Sequence, residues 1–161
     1  MEDLETYLEE WIRTLSLPND YNQGPRCPYA NSAKSKIVKC PDYNLSQFWV
    51  AVSEECENFN TDKDITIVAS DTMYDPHEID VVVDALNIYL NVQNKDLWLL
   101  QSCNEKYSMV FIQKITKIDD ASKTLEKTLY YDKMHPASFK KFITHRRILR
   151  NNLQRNTDES T

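Results

Sequence analysis

The sequence predicts a mixed α/β domain: one small sheet of about four strands, helices packed on it, and further helices at both chain ends. Three observations lead there. Apolar residues recur at three- and four-residue spacing in several separate stretches. Between these stretches lie short apolar or β-branched runs, of which Ile65-Thr66-Ile67-Val68-Ala69 is the clearest. The two kinds of segment alternate, which calls for crossovers between parallel strands. The chain has 161 residues, 41% apolar and 11% aromatic, enough to bury the core of a single domain over residues 1–155. The polar stretch 156–161 reads as a disordered tail.

Leu4, Leu8, Trp11, Ile12 and Leu15 share one helical face, and Asp3 stands where a cap is needed, so the spacing predicts a helix over 4–15. Leu17-Pro18-Asn19-Asp20 ends it, and a polar connection runs on to Cys27. Pro28 suits the first turn of a short helix toward Lys36, and Ile37 to Cys40 reads as a strand stopped by Pro41. Leu45, Phe48, Trp49, Val52, Cys56 and Phe59 predict a helix over 45–59, and strand 65–69 follows. Asp75-Pro76 supplies a cap and a first-turn proline for a helix carrying Ile79, Val82, Val83, Leu86 and Leu90. Leu97–Gln101 and Ser108–Ile115 read as a hairpin around Cys103-Asn104-Glu105-Lys106. Asp120 is the expected cap of a helix through Leu129. Pro136 opens the last helix, with Phe139, Phe142, Ile143, Leu149 and Leu153 on its apolar side.

Composition narrows the function. The single glycine, Gly24, cannot build the glycine-rich loops that let a backbone close on a nucleotide phosphate. The acidic start lacks the layout of a secretory signal, and no apolar run approaches the ~18 residues of a membrane span, so a cytoplasmic location is expected. In a reducing compartment, four irregularly spaced cysteines (Cys27, Cys40, Cys56, Cys103) suggest free thiols rather than disulfides or zinc. No cofactor or metal is expected. Charge is uneven: Lys133 to Thr157 holds seven basic residues and no acidic one, leaving twelve basic against twenty-five acidic residues elsewhere.

Three constellations could carry chemistry. At Gly24-Pro25-Arg26-Cys27-Pro28-Tyr29-Ala30, a thiol immediately before a helix start meets unsatisfied backbone N–H groups and the positive end of the helix dipole. Both favour the thiolate. Cys27 is therefore the candidate reactive group, with Arg26, Pro28 and Tyr29 contacting a small anionic ligand, although a buried structural thiol is the competing explanation. Asp71, Asp75 and His77 follow strand 65–69, where open α/β sheets place ligands, and could serve as an acid/base or metal site; the stronger explanation is local, with Asp75 a helix cap and His77 a residue of the first helical turn. The basic segment with Lys140, Lys141, Arg146, Arg147 and Arg150 could bind an acidic protein or nucleic acid, or form an internal ion-pair surface. His145 falls on the apolar stripe of that helix, and His135-Pro136 reads as helix entry.

Cys27-Pro28-Tyr29-Ala30 resembles the C-P-[FY]-A motif that opens an active-site helix in monothiol glutaredoxin-like and omega-class glutathione transferase-like proteins. Trp11, the Cys27–Ala30 motif and Asp64–Val68 together resemble an uncharacterised bacterial family with a Trp-bearing N-terminal helix. That resemblance implies an α/β fold and a candidate thiol, but no reaction.

Overall fold

The computed structural model describes residues 3–14, 34–40, 44–132 and 134–159. Four strands form one sheet in the order β1-β2-β4-β3: β1 (Ser35–Lys39), β2 (Ile65–Ser70), β3 (Trp98–Cys103) and β4 (Ser108–Gln113). β1 and β2 are parallel, with Ile37 opposite Ile67, whereas β4 is antiparallel to both β2 and β3. The predicted mixed sheet with helices packed on it is thus the observed architecture. Five helices accompany it among the described residues. They are α1 (Leu4–Thr14), α2 (Leu45–Glu57), α3 (Pro76–Val92), α4 (Ile115–Glu126) and a C-terminal α5. α5 starts as Pro136–Phe139, widens through a π-helical turn at Lys140–Thr144 and continues as His145–Glu159.

The period of two in the strands divides the core between the two faces of the sheet. Val68, Leu99, Val110 and Ile112 point to one face, where Phe48 and Val52 of α2 and Ile79 and Val83 of α3 cover them. Ile67, Ala69, Met109 and Phe111 point to the other, against Leu8 and Ile12 of α1. Trp11 meets Phe111 edge-on at 6.2 Å between ring centroids, and Tyr7 lies 5.6 Å from Tyr107. A third cluster, Trp98, Ile115, Leu149 and Leu153, joins β3, α4 and α5.

Two expectations are corrected. Ser35 and Lys36, anticipated as the end of a short helix, instead open β1, because pairing with Ile65 and Thr66 gives their backbone groups partners in the sheet. Asp64 fixes the entry, its carboxylate accepting from the Lys34 N–H at 2.8 Å. The second correction concerns α4, which begins at Ile115 rather than at Asp120. Its cap comes from outside the segment: the Asp96 carboxylate accepts from the Thr116 N–H at 3.0 Å and from the Thr116 hydroxyl at 2.7 Å. A distant side chain satisfies the orphan N–H group, and so a β-branched Ile-Thr pair starts a helix.

Candidate interaction surface

α3 is held at both ends and along its length by named contacts. Asp75 caps its start, accepting from the His77 N–H at 2.9 Å, with Pro76 in the first turn. Its end is a Schellman turn: Asn94 has φ of 60°, the Asn94 N–H donates to the Asn91 carbonyl and the Lys95 N–H to the Leu90 carbonyl, both at 2.9 Å. Between these ends, buried Asn87 clasps the backbone of β3. Its amide donates to the Leu99 carbonyl at 2.9 Å and its oxygen accepts from the Leu99 N–H at 2.7 Å. An amide side chain thereby supplies the neighbour that this edge strand lacks. Asn91 donates to the Leu149 carbonyl of α5 at 2.7 Å, and Lys141 of α5 bonds Asp80 and lies 3.8 Å from Asp84. The Asp80 carboxylate, with help from Asp84, holds the Lys141 ammonium above its ordinary pKa despite partial burial.

With its rotation fixed by these contacts, α3 buries Ile79, Val83 and Leu90, in agreement with the predicted stripe. It also carries a second apolar stripe facing away from the sheet. Val81 is 55% exposed, Ile88 49%, Tyr89 56% and Val92 76%, and Ala85 between them is exposed as well. Scattered exposed apolar residues are ordinary, but these five form one continuous ridge over three turns of helix. The signal was present in the sequence, since α3 has more apolar positions than a single buried stripe uses.

The basic segment behaves in the opposite way. Arg147 and Arg150 converge on Asp119 of α4, which is fully buried: Arg147 Nε lies 3.1 Å from Oδ1 and Arg150 Nη1 2.9 Å from Oδ2. Arg147 also meets Glu126 at 2.8 Å, Arg150 meets Asp120 at 2.5 Å, and Arg146 donates to the Ser122 hydroxyl. Burial pushes the Asp119 carboxyl up, but hydrogen bonding to Arg150 and the charges of Arg147 and Lys123 together outweigh it and hold the group below its usual range. Arg146 and Arg150 are themselves buried. Among the described basic residues of this segment, Lys141 and the three arginines thus face the protein's own polar groups, leaving Lys140 exposed. His145, expected on the apolar stripe, is exposed, whereas His135 does cap its helix, accepting from the Ala137 N–H at 3.1 Å.

Asp71, Asp75 and His77 all lie beyond the carboxyl end of β2, as their sequence order requires, but as separate exposed groups. Asp71 is 3.9 Å from Lys39, Asp75 is occupied as a cap, and among the described residues no three His, Cys, Asp or Glu side chains group as metal ligands. Cys27, Arg26, Pro28 and Tyr29 lie outside the described residues. Of the other thiols, Cys40 is buried, Cys56 is pushed up to about 12 by burial and by the adjacent Glu55 and Glu57, and Cys103 is exposed. No helix among the described residues is long and apolar enough to cross a membrane. Comparison with known proteins gives no matching family model, no matching curated protein and no matching solved structure.

Proposed function

We propose that this protein is a non-enzymatic interaction module whose partner docks on the outer face of α3. One observation carries the reading: a helix held in a fixed rotation by Asn87, Asn91 and Asp80 leaves Val81, Ala85, Ile88, Tyr89 and Val92 in water. Apolar surface of this continuity is stabilised when covered, at roughly 25 cal/mol per Å² removed from water. The basic C-terminal helix is the weaker candidate for a docking element, since its arginines are engaged by Asp119, Asp120 and Glu126.

A photo-crosslinking residue at Ile88 tests the reading in living cells. Covalent adducts are expected there and not from the same residue placed at Asp62, an exposed polar position remote in sequence from α3. Equal labelling at both positions, or none at Ile88, would remove the support for this surface.

A further inference from the structure

The layer between α4 and α5 leaves one buried charge unpaired. Lys123, Arg146, Arg147 and Arg150 meet Asp119, Asp120 and Glu126 there, four cations against three carboxylates. Both Asp119 oxygens are taken, Oδ1 by Arg147 and Oδ2 by Arg150 and Lys123. Arg146, 5% exposed, forms no ion pair among the described residues, and its guanidinium donates to the Ser122 hydroxyl. That hydroxyl donates in turn to the Ile118 carbonyl at 3.0 Å, so it answers a hydrogen bond but not a charge. Burial accordingly pushes the Arg146 guanidinium below its ordinary range. Nearby Tyr131, Asp119 and Glu126 do not offset the loss of water, and the Arg147 charge adds to it.

Arg147 supplies a second cation at the same place. Asp119, Ser122 and Glu126 follow one another on one face of α4 at three- and four-residue spacing. Arg147 joins Asp119 at 3.1 Å and Glu126 at 2.8 Å, so its guanidinium spans the turn that carries Ser122, where the Arg146 guanidinium ends as well. Two like charges are thereby held side by side. Each has a buried N–H group with no acceptor, Nε of Arg146 and Nη2 of Arg147, and Nε of Arg150 one turn further along is a third. Native proteins rarely leave such donors unmade, because a buried charged group without its hydrogen bonds costs more than a neutral one.

We propose that this layer binds a small oxyanion of the phosphate or sulfate type, held by Arg146 and Arg147 beside Ser122. Its oxygens accept from Arg146 Nε and Arg147 Nη2, and its charge offsets the excess cation. Water would satisfy the same N–H groups but not the charge. Arg147, with 27% of its side chain exposed, is the outward side of the site, whereas Ser122 and Arg146 are buried. A free ion suits that depth and a nucleic-acid backbone does not. The site is separate from the outer face of α3 and does not depend on what docks there.

Thermal unfolding of the full chain in added sodium phosphate or sodium sulfate, against sodium chloride at equal ionic strength, is the test. A rise in Tm that saturates over about 0.1–20 mM of either oxyanion is expected, with none in chloride. General stabilisation by these salts does not saturate in that range and acts equally on variants. Arg146→Met removes the excess charge and should abolish the response. Ser122→Asp places a carboxylate beside Arg146 and should abolish it too, and this variant decides alone if Arg146→Met does not fold. No response in the parent chain would mean that water alone occupies the layer, which overturns the proposal. A response that persists in either folded variant overturns it as well.

Discussion

α5 and α3 lie against each other, and each contradicts its own composition. α5 is the most basic stretch of the chain, yet Arg146, Arg147 and Arg150 turn inward to Ser122, Asp119, Asp120 and Glu126. α3 is rich in apolar residues, yet Val81, Ile88, Tyr89 and Val92 stand in water. The difference teaches that residue type alone does not say which way a helix faces. That is decided by the neighbours with the stronger claim: a buried carboxylate in one case, an edge strand needing hydrogen bonds in the other.

The largest expected effect breaks the inward side of this comparison. Asp119→Ala leaves two guanidinium groups without their shared buried carboxylate, and loss of about 3–5 kcal/mol is expected in urea denaturation. The same pairing sets a pH dependence. The Asp119 carboxyl is lowered in the folded state, so its contribution is complete above the unfolded value of about 4 and disappears as pH falls through the lowered one. Acid titration of stability should therefore flatten below pH 4 in Asp119→Ala relative to the parent chain; identical profiles would show that the carboxylate contributes nothing.

Next is the clasp that turns α3. Asn87→Ala removes both partners of the Leu99 backbone and should cost about 1–3 kcal/mol, with faster hydrogen exchange at the Leu99 amide. Unchanged protection there would mean that the rotation of α3 is fixed by packing alone. Smaller still is the effect of Val92→Asp on folding, expected within about 0.5 kcal/mol because the side chain touches little in the monomer. A drop of several kcal/mol would mean that this stripe belongs to the core. Least of all is expected from mixing the protein with mixed-sequence DNA or RNA: no salt-sensitive retention, because the arginines are already engaged. Retention at low salt that vanishes at moderate salt would reverse that conclusion.

The thiol reading based on Cys27 sharpens separately. With Cys40 buried and the Cys56 thiol pushed up to about 12, Cys103 is the accessible competitor among the described cysteines. In Cys103→Ser, alkylation by iodoacetamide below pH 7 should be faster than that of free cysteine if Cys27 is a thiolate at a helix start. A rate no faster than free cysteine ends the activated-thiol reading.

The sequence by itself determined the type of most elements, because burial of one face imposes a period on a helix or strand whatever its neighbours are. It also located the start of α3, since Asp75-Pro76 acts on the residues next to it, and it placed strand 65–69 in a mixed sheet. It did not determine the start of α4, whose cap is Asp96, or the strand character of Ser35 and Lys36, which depends on β2. Nor did it fix the direction in which the charges of α5 and the second apolar stripe of α3 point. Those features are pairings between residues far apart in the chain, as Asn87 with Leu99 and Asp119 with Arg150 are. Such pairings leave no periodic trace in either partner's own segment, so only the assembled tertiary structure decides them.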